Sequence, residues 1–110
     1  MTEDCVFCRI ARGVSSADVV YEDDAVMAFK DLYPKAPIHF LIIPRRHIES
    51  IAQLSAGDTE LMGRCVQVAR TLGEQTGFAE RGYRLSCNCG PEGGQVVNHL
   101  HFHFLAGRRG

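Results

Sequence analysis

Three histidines stand at alternate positions in His99-Leu100-His101-Phe102-His103-Phe104. An extended chain sends successive side chains to opposite faces. His99, His101 and His103 therefore share one face, and Leu100, Phe102 and Phe104 share the other. Imidazole changes charge near neutral pH and serves as nucleophile, proton carrier or metal ligand. A row of three makes a poor core and poor surface decoration. Metal binding and covalent catalysis are the two chemistries it offers. The second chemical motif is Cys5-x-x-Cys8. Taken alone, that spacing fits a redox pair, half of a zinc site, or chance.

The elements that must carry these groups come from a chain of 110 residues, a length that suggests one domain over 1–110. A hydrophobic content of 45% allows a real, small core. A formal charge of −1 argues against a dedicated nucleic-acid binder. No apolar run is long enough to span a membrane. The N-terminal Met1-Thr2-Glu3-Asp4 is acidic and has no apolar stretch behind it, unlike a signal peptide, so a cytoplasmic location is the default expectation. The five cysteines cannot all pair within the chain. In a reducing compartment they serve as ligands, core residues or free thiols. Cys65 falls in a helical pattern and is expected in the core. Cys87 and Cys89, alternating with Tyr83 and Leu85, are expected there too.

The pattern predicts a short helix over Cys5 to Arg12 ended by Gly13. A hairpin of Val19–Glu22 and Ala25–Lys30 follows, turning at Asp23-Asp24. Asp31–Pro37 is a loop, and Ile38–Ile43 is a strand so apolar that its own protein or a partner subunit is expected to cover both its faces. Ser55 with Asp58 makes a capping box for the longest helix, whose stripe of Leu61, Met62, Cys65, Val66, Ala69 and Leu72 should pack on the sheet. Gly77 closes that helix. Strands Gly82–Cys89 and Asn98–Leu105 flank the loop Gly90–Gly94. The expected class is α+β: an antiparallel five-stranded sheet with one long helix and a short N-terminal helix. Alternation also turns His39 and Asn88 toward the histidine face.

His99-Leu100-His101-Phe102-His103-Phe104-Leu105 resembles the signature of the histidine-triad (HIT) family, in which histidines alternate with apolar residues. Tyr21-Glu22-Asp23-Asp24, Phe29-Lys30-Asp31, Ala36 through Pro44, and Gly93-Gly94-Gln95 extend the resemblance to its Hint branch, in the same order along nearly the whole chain. The resemblance implies a HIT-like fold and chemistry at the α-phosphate of purine nucleotides, on phosphoramidates or acyl adenylates, with an AMP-type product. It makes His101 the nucleophile, which would form a nucleotidyl-histidine intermediate. His103 and His39 would serve the phosphate side, with His103 also assisting the leaving group. Asn88, Gly94 and Gln95 would orient the phosphate, and Asp31 would hold the ribose hydroxyls. Leu32 and Phe7 would wall the base pocket, although core packing explains Phe7 almost as well.

Many bacterial members of the family hold zinc, and the resemblance implies a structural Zn²⁺ on Cys5, Cys8, His47 and His99. It also implies a homodimer, while charge and hydropathy point to neither nucleic acid nor membrane as a partner. Two departures stand out. Val96 follows Gly-Gly-Gln where Hint proteins commonly carry Ser or Thr near the leaving group, and the chain reaches Gly110 without a Trp-Pro-Pro-Gly tail. The expectation is an altered rate or leaving-group preference, and either a more open pocket or other residues in place of the tail. Gly90-Pro91-Glu92-Gly93-Gly94-Gln95 also resembles the Fhit branch, which implies dinucleoside polyphosphate hydrolysis as the rival activity. A nucleotide-binding module with little catalysis is a third reading, and a protein that binds metal through all three triad histidines is a fourth.

Overall fold

The computed structural model describes residues 5–107; the acidic segment Met1-Thr2-Glu3-Asp4 lies outside them. Helix α1 spans Val6–Ala11 and is followed by strands β1 (Val19–Glu22), β2 (Val26–Lys30) and β3 (Ile38–Pro44). Two 3₁₀ turns, Ile51–Gln53 and Ala56–Asp58, lead into helix α2 (Thr59–Thr76), and β4 (Arg84–Ser86) and β5 (Phe102–Ala106) complete the chain. The five strands form one antiparallel sheet in the order β1-β2-β3-β5-β4. The α+β expectation holds.

Alternation along the central strands divides the core in two. Val26, Ala28, Phe40, Ile42, Phe104 and Ala106 face α2 and pack on Cys65, Val68, Ala69 and Leu72. Met27, Phe29, Leu41 and Ile43 face the other way, against Phe7 and Ile10 of α1. Strand β3 is thus covered on both faces, as its unbroken apolar run predicts. His39 and His103 belong by alternation to the face that α1 covers. His103 pairs with Leu41 and His39 with Leu105, so the two imidazoles are diagonal neighbours.

The capping box at Ser55 and Asp58 forms, with Ser55 N–H donating to Asp58 Oδ2 at 2.9 Å. It caps a 3₁₀ turn, and regular α-helix begins at Thr59. Gly77 takes the left-handed conformation, φ 83°, that ends α2. The inward stripe of α2 differs from expectation at one position. Val66 is 51% exposed, and Val68 is buried in its place. At 100° per residue, Cys65, Val68, Ala69 and Leu72 share one arc and Val66 falls off its edge.

Both C-terminal strands are shorter than predicted. The β4–β5 ladder pairs only Arg84 with Leu105, Leu85 with Phe104 and Ser86 with His103. Ahead of Phe102 the chain leaves the sheet, and Leu100 N–H donates instead to Ile48 O at 2.7 Å. Residues 87–89 therefore have no strand opposite them. The core expectation for Cys89 fails as a result: it is exposed, and Cys87 is half-buried, whereas Cys65 is fully buried as predicted. Tyr83, expected to face the core, sits at the surface with its ring tilted on Phe104 at 4.6 Å. Among the described residues, no helix is long and apolar enough to cross a membrane.

Candidate active site

The histidine run straddles the start of β5. His103 lies in the ladder, while His99 and His101 precede it. The three still keep to one side, with ring centroids of His101 and His103 5.1 Å apart. Phe7 of α1 closes the back of the group, edge-on to His101 at 5.2 Å and to His99 at 5.9 Å. It is also edge-on to Phe29 at 5.4 Å and belongs to the buried cluster.

Hydrogen bonds assign the protons. A neutral imidazole has one donor nitrogen and one acceptor. His101 Nδ1 lies 2.7 Å from His99 O. A carbonyl only accepts, so Nδ1 carries the proton and Nε2 keeps its lone pair. His99 Nε2 lies 2.8 Å from Pro44 O, so here Nε2 carries the proton and Nδ1 is bare. Lys35 N–H donates to His39 Nδ1 at 3.1 Å, which places the His39 proton on Nε2. That nitrogen is 3.0 Å from His103 Nδ1 and 3.3 Å from Asp31 Oδ2. Burial keeps three of these rings neutral near pH 7: it pushes His99 down to about 4 and lowers His101 and His39. Burial, reinforced by His101 and His39 nearby, pushes His103 to about 4 as well.

The bare Nδ1 of His99 faces Cys5 Sγ at 3.3 Å and Cys8 Sγ at 3.5 Å, and Cys8 Sγ is 3.3 Å from His47 Nδ1. Cys5 is the N-cap of α1 and accepts Cys8 N–H on its sulfur. One turn of helix thus brings both sulfurs together. The four ligand atoms lie within 4.8 Å of one another. Bond lengths of about 2.3 Å to sulfur and 2.0–2.1 Å to nitrogen in a tetrahedral centre space those atoms by about 3.5 Å. The observed separations and the soft donor set fit a metal ion. Burial, with Cys5 beside it, pushes the Cys8 thiol up to about 11, so a cation is what would make it a thiolate. Asp31, His39 and His103 also bring three ligand-type atoms within 4.8 Å. That cluster does not suit a metal in the same way, because the Lys35 amide leaves His39 without a lone pair on Nε2.

The loop after β4 supplies polar groups. Asn88 Nδ2 donates to Gly93 O at 2.7 Å, Gly90 N–H donates to Gln95 Oε1 at 2.8 Å, and Gln95 Nε2 donates to Glu49 O at 2.6 Å. Gln95 thereby joins this loop to the segment after β3. A Cβ on Gly93 would meet Cys89 O at 2.3 Å, and Gly94 has φ +88°, so neither position accommodates a larger residue without strain. Asp31 follows β2 and accepts Tyr33 N–H on Oδ1 at 2.9 Å. Leu32, 85% exposed, stands beside it, and Val96 is exposed as well.

Three contributors have no one-dimensional signal: the Lys35 amide, the Pro44 carbonyl, and Cys87, whose sulfur accepts from the His101 backbone amide. Two of them act through backbone groups that every residue carries, and the third reads as core packing.

A five-stranded antiparallel sheet with a C-terminal histidine run beside a Gly-Gly loop defines a class. The HIT domain family matches residues 12–110, and the chain belongs to that family. It is 45% identical over 108 residues to the purine nucleoside phosphoramidase of Escherichia coli (strain K12), which covers 98% of this chain and 91% of that protein. Among solved structures, a HIT family hydrolase from Legionella pneumophila Philadelphia 1 superposes with a TM-score of 0.95 at 44% identity, over 96% of this chain and 95% of that one. A histidine triad protein from Clostridium difficile superposes at 0.94 with 42% identity, over 96% and 92%.

Proposed function

We propose that this protein hydrolyses purine nucleotides that carry a labile group on the α-phosphate, a phosphoramidate or acyl adenylate, through a nucleotidyl intermediate on His101. The observation that carries the reading is the His101 Nδ1–H to His99 O bond of 2.7 Å, which leaves Nε2 bare for attack at phosphorus. Nε2 forms the new P–N bond as the leaving group departs, and the developing imidazolium keeps its Nδ1–H on the carbonyl. Water then cleaves the nucleotidyl-histidine to release the nucleoside monophosphate. The relative named purine nucleoside phosphoramidase supports this substrate class.

His103 and His39 serve the phosphate side, and His103 also the leaving group. Asn88, Gly94 and Gln95 shape the loop over the phosphate, Asp31 accepts the ribose hydroxyls, and Leu32 with Phe7 bounds the base side. Val96 offers no hydroxyl to the leaving group, which favours substrates whose leaving group needs little assistance. Cys5, Cys8, His47 and His99 would hold a structural Zn²⁺, a closed four-ligand centre that braces the chain and leaves no open position for chemistry. The molecule acts as a single-domain homodimer in the cytoplasm, where its free cysteines stay reduced.

Turnover of adenosine 5′-phosphoramidate and of diadenosine tetraphosphate, with His101→Ala alongside, tests the reading. AMP from the phosphoramidate at the higher kcat/KM, lost in the variant, is the expected result. Preference for the tetraphosphate would move the protein to the dinucleoside polyphosphate class. AMP from neither would overturn the enzyme reading.

A further inference from the structure

We propose that His39 is a positioning residue: held by the Lys35 amide with its proton on Nε2, it donates to His103 Nδ1 and makes His103 present Nε2–H to the substrate phosphate. Lys35 N–H donates to His39 Nδ1 at 3.1 Å, so that nitrogen must be an acceptor. His39 then has a single proton, on Nε2, and its nearest partner is His103 Nδ1 at 3.0 Å. Two N–H groups cannot face each other at that distance, so His103 Nδ1 accepts and its own proton is on Nε2. Asp31 Oδ2, 3.3 Å from the same His39 nitrogen, favours keeping the proton there. His39 itself is 4% exposed, which suits a group that acts through its neighbour.

The arrangement gives His101, just ahead of β5, and His103, within it, opposite tautomers. His101 carries Nδ1–H and offers a lone pair. His103 carries Nε2–H and offers a donor. A nucleophile and an oxyanion donor side by side are what attack at a phosphate requires. The role of the His103 donor rests on the reading given under Proposed function, whereas the proton assignment does not.

Nuclear magnetic resonance of protein labelled with ¹⁵N-histidine tests the assignment without substrate. The expected result is Nε2–H on His39 and His103, with a ¹⁵N–¹⁵N coupling across the hydrogen bond that joins His39 Nε2 to His103 Nδ1. A proton on His103 Nδ1, or no coupling, overturns it. Kinetics give a second arm. Removing a group that orients a reacting residue costs roughly 10- to 100-fold, so His39→Leu should lower kcat by that factor with KM changed by less than about threefold. His39→Gln places an amide N–H near the Nε2 position and should restore most of kcat. A Gln variant as impaired as the Leu variant, with both folded by circular dichroism, refutes the donor role. The expected tautomers with no turnover of any nucleotide would uphold the inference and defeat the proposed activity. Turnover with His103 protonated on Nδ1 would do the reverse.

Discussion

His99 and His103 lie four residues apart in the same run, and burial holds both rings at about 4. They differ in what meets each nitrogen. His99 donates Nε2–H to Pro44 O and turns a bare Nδ1 to two sulfurs. His103 takes a hydrogen bond on Nδ1 from His39, so its Nε2 keeps the proton. One end of the run is built to ligate and the other to donate. His101 stands between them, tied to the ligating end through the His99 carbonyl. The lesson is that a neighbouring carbonyl or ring nitrogen, rather than the histidine itself, selects the chemistry.

The largest expected effect falls on the residue between the two ends. His101→Ala should lower turnover by about 10⁴-fold or more and leave zinc uptake by the proposed four-ligand site unchanged; AMP release and metal content per chain measure the two. Metal loss in that variant would erase the distinction between the ends, since it would make His101 a ligand.

Removing a ligand at the other end should act on stability first. Cys8→Ser is expected to abolish stoichiometric zinc and to cost about 3 kcal/mol or more, a fall in Tm of roughly 10–20 °C for a domain of this size. Elemental analysis and thermal unfolding check it. His99→Ala should behave alike, because its backbone carbonyl remains for His101.

Acid sharpens the contrast from the donor end. The His103 value of about 4 lies below the unfolded value near 6.5, so between these limits the unfolded chain binds the extra proton. This contribution is complete above about pH 6.5 and is lost as pH falls toward 4. Stability at pH 4.5 should be lower than at pH 7.5 by about 1 kcal/mol from this ring, because solvent reaches the half-buried imidazole and screens the effect. Denaturant titrations should show a shallower pH dependence in His103→Asn.

The smallest effect separates the clustered thiols from the rest. Cys89 is exposed, and Cys89→Ser should change stability by less than about 0.5 kcal/mol and leave bound zinc unaltered.

Much of this site can be read along the chain. Strict alternation of imidazoles with large apolar groups places His99, His101 and His103 on one side whether or not the backbone is in a ladder. The same period brings His39 into register across β3. Errors arose where a local pattern depends on a partner. The run Gly82–Cys89 alternates like a long strand, yet only Arg84–Ser86 find a neighbour, since β5 begins as late as Phe102. Cys89 consequently lost its place in the core. On α2, Val66 and Val68 are equally apolar, and the sheet chose the one within the arc of Cys65 and Leu72.

Residue order thus specified the chemical inventory: an N-terminal sulfur pair, a histidine after β3, an alternating triad and a Gly-Gly loop, because side-chain identity and period are local properties. Folding settled the proton on His39, His99, His101 and His103. That assignment depends on the Pro44 and His99 carbonyls and the Lys35 amide, backbone groups with no signature in any sequence. Their positions follow from how β3, β5 and the flanking loops pack.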